Sequence, residues 1–576
     1  MRIKVINFAL IFIFLFLGLG VFNLELIQAK RYKELSKKNC IRLLPQTGAR
    51  GKILDQNNKI IVDNFLSYDV MLFSDEEARI DKTLKAVSGI LDTSFKDLKN
   101  TFENSYIAPF APNAIAKNID IKQAIALEES KLDLGLEGII IQPQPQRVYP
   151  YGRLASHLLG YLNEIDHWRL SKLKEFGYKT KDIVGFGGLE EKYDYYLRQE
   201  EGGLSVVVDH RGRFVRLLGF KPPRNGKDIQ LTLDLRIQKI TEETLGDRKG
   251  SIIIMDPYTG EIVALVSKPD FNPSLFVNKS YSSIASLFNN PEAPLINRAS
   301  SGAYPAGSIF KLVLAAAALE TGKINLSTSF FCPGSIHIGR QEFSCWDKHG
   351  QQNLRQAITH SCNVFFYRTG LLLGAQLIHD YALKFGLSRP TSIDLPYEVG
   401  GFMPHPLWKR IYKFKNWYDG DTANFSIGQG YLLVTPLQMA RMMAVFANKG
   451  NLVTPYIVKA IDGCDVSVDK KKITRIPIKV STIDYIREGL RNVVSDPAGT
   501  ANVLSSLPIP VAGKTGTAQV PYKQPHAWFI GFFPFNNPKF VICVFIEHGG
   551  SGQVACVLTK QIIEAMIQED PSELER

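Results

Sequence analysis

Tyr304-Pro305-Ala306-Gly307-Ser308-Ile309-Phe310-Lys311, followed by the apolar run Leu312 to Leu319 and closed by Gly322, is the stretch around which the chain is organised. A glycine turn feeding an apolar helix places Ser308 in a first helical turn, where backbone N–H groups are free and the helix dipole is positive. Lys311 lies three residues on, over the same face, so its amine can reach the Ser308 hydroxyl and take its proton once burial lowers its pKa. Ser-x-x-Lys is a weak pattern on its own and recurs at Ser171/Lys174 and Ser467/Lys470.

Company in a fixed order makes the first copy specific. Ser361-Cys362-Asn363 follows, just before Phe365-Phe366-Tyr367, and Lys514-Thr515-Gly516-Thr517 comes later between two short apolar pieces. Three such motifs in this order resemble the signature of penicillin-recognising serine enzymes. With Leu295-Ile296-Asn297-Arg298-Ala299, Ile427-Gly428-Gln429-Gly430-Tyr431 and Thr435-Pro436-Leu437-Gln438, the chain resembles the class B penicillin-binding proteins of cell elongation over nearly its whole length. Two departures stand out. The family's usual Pro-Pro-Gly-Ser-Thr-Phe-Lys reads Pro-Ala-Gly-Ser-Ile-Phe-Lys here, and the middle motif ends in Asn363 where many relatives carry Asp. Neither removes a reacting group.

The resemblance implies an α+β multidomain protein: a transmembrane anchor over residues 1–28, a non-catalytic mixed α/β pedestal of the dimerisation type over 29–248, and a penicillin-binding transpeptidase domain over 249–570. The catalytic domain would pair an antiparallel sheet and flanking helices with a helical subdomain. Ser308 would attack a D-Ala-D-Ala carbonyl with Lys311 as base, Ser361 would relay the proton, and Asn363 would hold Lys311 and the substrate. Lys514, Thr515 and Thr517 would bind the terminal carboxylate, Gly516 would allow close backbone approach, and the N–H groups of Ser308 and Thr517 would form the oxyanion hole. No catalytic cofactor is implied. The implied partners are peptidoglycan stem peptides, lipid-linked precursor, β-lactams, a SEDS-type glycan polymerase and other membrane proteins of the elongation complex. Two other readings compete: a D,D-carboxypeptidase or β-lactamase, and a catalytically silent receptor or scaffold. The long pedestal and uncleaved anchor argue against the first, and three intact motifs against the second.

Composition agrees with this organisation. At 576 residues and 45% apolar the chain can bury more than one core. The net charge of +12 is spread without a basic stripe or a recognition motif, so no nucleic-acid partner is expected. Val5 to Leu26 is interrupted only by Asn7, Asn23 and Glu25, and is long enough to cross a membrane core of about 30 Å. No small-x-small cleavage site follows, which favours an uncleaved single-pass anchor. Arg2 and Lys4 favour an inside N-terminus, with the rest of the chain in the periplasm.

Strands are expected over Ser251–Asp256, Glu261–Val266, Lys514–Val520, Ala527–Phe533 and Phe540–Glu547, with a final helix over Gln553–Gln568. Gly187-Gly188 reads as a tight turn, because no phosphate-binding Gly-Lys-Ser/Thr follows. Of seven cysteines, Cys543 falls in an apolar strand as a core residue. Cys332, Cys345 and Cys362 share a window with His349, a donor set that suits tetrahedral zinc. The intervals of twelve, three and twelve residues are not those of a zinc finger, and they leave a Cys332–Cys345 disulfide or plain burial open. His360 rivals His349. The resemblance favours a structural zinc, since some elongation-type relatives hold one at corresponding places.

Overall fold

The computed structural model describes residues 2–72, 77–106, 113–134, 136, 138–208, 214–467 and 472–571. Arg2–Phe22 is α-helical and runs on as a wider turn over Asn23–Ile27. Val5–Ile27 is long and apolar enough to span a membrane, and none of it is buried.

Compactness divides the chain into two units by interleaved segments rather than at one linear boundary. One comprises residues 1–51, 64–147 and 198–226, the other 52–63, 148–197 and 227–576. In the first unit, strands Ile41–Gln46, Gly202–Val208 and Phe214–Lys221 form an antiparallel sheet. Its main core gathers Val70, Leu84, Leu98, Ile115, Leu127 and Ile139, from strands and helices that bury one face each.

The second unit is built on a five-stranded antiparallel sheet, from β1 (Gly250–Met255), β2 (Ile262–Lys268), β3 (Ala512–Val520), β4 (Lys523–Phe533) and β5 (Phe540–Ile546), in the order β2-β1-β5-β4-β3. The expected strands are present, with ends that agree to within four residues. β1 and β5 are buried along their whole length, which explains why they read as continuous apolar runs. Early strands pair with late ones, so the helical segments between them form an insertion, and β3 is left at the edge.

Helix α1 (Lys311–Glu320) is apolar on every side because it is enclosed: Leu312 through Ala318 are buried all round. Helix α2 (Asn363–Lys384) is broken at Gly374, whose φ is 74°. Thr435-Pro436-Leu437-Gln438 starts helix α3 (Pro436–Ala447) with a capping box, Gln438 N donating to Thr435 Oγ1 at 3.1 Å and Thr435 N to Gln438 Oε1 at 2.9 Å. Helix α4 (Gly552–Glu569) packs its start against β3, where a Cβ on Gly552 would lie 2.8 Å from the Gly516 carbonyl oxygen. Gly187 and Gly188 take φ of 67° and 54°, the tight turn expected of them.

Candidate active site

The three motifs converge. Ser308 sits in a 3-10 turn, Gly307–Phe310, that leads into α1, so Lys311 is the first α-helical residue. Ala306 and Ile309, the two altered positions, are fully buried and serve as core packing.

Lys311 Nζ donates to Ser361 O at 2.8 Å, to Ser361 Oγ at 3.3 Å and to Asn363 Oδ1 at 2.7 Å. Among the described residues these are its hydrogen-bond partners, and Ser308 Oγ is not one of them. First and second motifs are therefore joined through the lysine, with the serine hydroxyl left to a substrate. Ser361 has φ 55°, a left-handed conformation costly for a residue with a side chain and typical of positions held for function.

β3 brings the third motif against the serine turn. A Cβ on Gly307, itself at φ 59°, would lie 2.9 Å from the Thr517 carbonyl oxygen, and one on Gly516 would lie 3.2 Å from Ala306 O and 3.1 Å from Ile309 Cγ2. Gly516 thus admits the serine turn. Trp528 on β4 clamps the same turn, its Nε1 donating to Pro305 O at 3.1 Å. Thr515 and Thr517 share a face by strand alternation. Thr515 Oγ1 is 2.7 Å from Thr500 Oγ1, and Thr517 Oγ1 accepts Gly552 N–H at 3.2 Å. Thr517 is exposed while Lys514 beneath is fully buried.

Burial governs both lysines. It pulls Lys311 down to about 8, against an upward pull from the Cys345 and Cys362 sulfurs. Lys514 is not among the groups that depress Lys311. Instead the mutual repulsion falls on Lys514, which burial first and Lys311 second hold well below the ordinary lysine range.

Two positioning groups escaped sequence reading. Gly428 O accepts Gly307 N–H at 2.8 Å, and a Cβ on Gly428 would lie 2.2 Å from Gly307 O, so this loop braces the nucleophile's turn. Thr500 orients Thr515. A Gly-x-Gly loop before a helix cap was visible, but nothing local said what it touches.

The cysteine cluster assembles beside the second motif. Ligand atoms of Cys332, Cys345, His349 and Cys362 all lie within 4.8 Å of one another. His349 Nδ1 is 3.7 Å from Cys332 Sγ and 3.5 Å from Cys345 Sγ. A metal about 2.3 Å from each sulfur would separate tetrahedral sulfurs by roughly 3.8 Å, so the donor set and its spacing fit zinc. Hydrogen bonding from Cys362 lowers the Cys345 thiol, and the same bond pushes the Cys362 thiol up. Cys332 and Cys345 are free thiols, which removes the disulfide reading in this structure. His360 is turned away, its Nδ1 against Gln352 Oε1 at 2.9 Å. The cluster also touches the motif directly, because Asn363 N donates to Cys345 Sγ at 3.2 Å.

Among the recurrent patterns, Ser171 Oγ closes on Trp168 O at 2.8 Å on an exposed helix. Ser467 is buried and remote in sequence from any second motif, and Lys470 lies outside the described residues.

Family models for the penicillin-binding protein transpeptidase domain and the penicillin-binding protein dimerisation domain match residues 250–564 and 45–231. The peptidoglycan D,D-transpeptidase MrdA of Acinetobacter baumannii is 32% identical over 567 residues, covering 94% of this chain and 84% of that protein. Penicillin-binding protein 2 of Helicobacter pylori, solved in complex with MreC, superposes with a TM-score of 0.82 at 27% identity, covering 92% of this chain and 99% of that one. A chain of a peptidoglycan synthase complex that coordinates polymerisation and crosslinking matches with a TM-score of 0.73 at 30% identity, covering 98% of both chains.

Proposed function

We infer function from the premise that this chain belongs to the penicillin-binding protein family of transpeptidases. It is a peptidoglycan D,D-transpeptidase of cell elongation, a serine enzyme of the D-Ala-D-Ala type. The observation that carries the site assignment is the Lys311 amine held between Ser361 and Asn363, one turn from Ser308.

In the proposed cycle, the substrate's terminal carboxylate binds the Thr515 and Thr517 hydroxyls above Lys514. Neutral Lys311 takes the proton of Ser308 Oγ as that oxygen attacks the penultimate D-Ala carbonyl. The N–H groups of Ser308 and Thr517 stabilise the oxyanion, at about 3 kcal/mol per donor. The C–N bond breaks, Ser361 passes the proton to the leaving D-alanine amine, and an ester to Ser308 remains. Attack by an amine of a second stem peptide returns the serine and forms the cross-link. Water in place of the amine gives carboxypeptidase side activity, and a β-lactam halts the cycle at the ester.

Because only neutral Lys311 can accept the proton, acylation by a labelled penicillin is expected to rise about tenfold per pH unit below 8 and to level off above it. Peptide mapping of the adduct should place it on Ser308. An adduct on another residue, or a pH-independent rate from 6 to 9, would remove this assignment.

Zinc is the proposed structural metal, held by Cys332, Cys345, His349 and Cys362. Bound there, it would supply no catalytic step but would fix Cys362 and the Cys345 sulfur, and through them Ser361 and Asn363. About one zinc per chain is expected, lost with most β-lactam reactivity in Cys345→Ser. Metal-free protein with full acylation would contradict this.

The N-terminus is proposed to lie on the cytoplasmic side of the inner membrane, with the catalytic unit in the periplasm. A SEDS-type glycan polymerase is the proposed partner, supported by similarity to a chain of a polymerising and crosslinking complex, with MreC-like elongation proteins beside it.

A further inference from the structure

Phe402, Trp408, Tyr412 and Tyr431 bring four rings together on the catalytic unit. Ring centroids of Phe402 and Trp408 are 4.6 Å apart, those of Trp408 and Tyr431 5.2 Å, and those of Trp408 and Tyr412 6.4 Å. Trp408 and Tyr412 are stacked four residues apart on the helix Pro406–Lys413. This is not core packing: Tyr412 is 69% exposed and Tyr431 38%. Lys413 Nζ sits 5.9 Å from the Trp408 ring centre and 6.0 Å from that of Tyr431.

The rings are tied to the serine turn. Tyr431 lies three residues beyond Gly428, whose carbonyl accepts the Gly307 N–H. The strand-like piece that follows it is held on both sides, Tyr304 N donating to Val434 O at 2.8 Å and Phe402 N to Leu433 O at 2.7 Å. Next to the rings, Phe414 is 89% exposed at φ 53°, a strained backbone for a bulky residue with no packing to offset it.

Charge narrows the ligand. Pro406 to Lys415 contains Lys409, Arg410, Lys413 and Lys415 and no acid. Lys409 is buried and paired with Asp421, which leaves three exposed cations. Rings open to water suit a ligand with apolar faces and polar edges, and the cations ask for carboxylates. A polymer of amino-sugar rings bearing carboxylated peptides offers both.

We propose that Trp408, Tyr412 and Tyr431, with Lys413, bind the glycan strand of peptidoglycan, a subsite that feeds stem peptides to the Ser308 turn. An anionic membrane surface would also suit a basic aromatic helix. Covalent continuity with the serine's brace favours the substrate. The proposal rests on the transpeptidase reading, so its test must separate the two.

The test uses full-length protein in detergent and the exposed pair Tyr412→Ala/Lys413→Ala. Binding of a peptide-free hexamer of alternating N-acetylglucosamine and N-acetylmuramic acid, whose lactyl groups carry carboxylates, and crosslinking of polymeric glycan should each fall about tenfold. Penicillin acylation and turnover of a sugar-free pentapeptide should not change, which shows the reacting groups intact. Loss of those two activities in the parent protein would instead strike the transpeptidase reading. Tyr431→Ser, which lies outside the helix, should reproduce the sugar-binding loss. Hexamer binding and polymer crosslinking that are unchanged in both variants would overturn the subsite, as would binding to phosphatidylglycerol vesicles that the pair abolishes while the hexamer does not bind.

Discussion

Ser308→Ala is expected to abolish covalent penicillin labelling, whereas Ser171→Ala and Ser467→Ala label as the parent does. Loss of a serine nucleophile costs on the order of 10⁶ in the chemical step. The contrast follows from placement. Ser308 opens the enclosed helix α1 opposite β3, while Ser171 bonds its own helix and Ser467 has no second motif near it in sequence. The alanine variant should fold, because Ser308 Oγ makes no hydrogen bond among the described residues. Labelling retained in Ser308→Ala, in protein of parental melting temperature, would remove it as the nucleophile.

The second large effect is at Lys311. Lys311→Ala should lower acylation by several orders of magnitude, since the Lys311 amine, one turn from Ser308, is the group that Ser361 and Asn363 hold in place. Whether its removal spares stability depends on burial. Lys311 is fully buried. Its folded pKa, about 8, lies below the unfolded value, so folding favours the neutral form. At pH 7 the charged side chain costs the folded state stability, and that cost is relieved as pH rises from about 8 toward the unfolded value. The variant removes this cost, of order 3 kcal/mol, but leaves Ser361 O and Asn363 Oδ1 without a donor and opens a cavity. The opposing terms leave the protein folded, which circular dichroism and melting temperature can check. Acylation at the parental rate in a folded Lys311→Ala protein would show that another group is the base.

Much of this was legible in the chain. β1, β2 and β5 announced themselves as short apolar runs between turns, and the motif order carried the pairing of early with late strands. The soft-ligand cluster was legible because three cysteines and a histidine are conspicuous by type, even at unfamiliar spacings. Burial of Lys311 and Lys514 was not, because it depends on α1, α2 and β3 closing over them from positions two hundred residues apart. The brace from Gly428 to Gly307 is likewise a backbone contact between remote loops, invisible to any local pattern. The interleaved units were hidden for the same reason: residues 148–197 contact the catalytic segments without resembling them in composition.

The most direct measurement follows the protein on glycan polymerised from lipid-linked precursor, counting D-alanine released against cross-linked dimer formed. The account predicts one D-alanine per new cross-link, both lost in Ser308→Ala and both blocked by penicillin. Release of D-alanine with shortened stem peptides and no dimer, or dimer formation that survives Ser308→Ala, would contradict it.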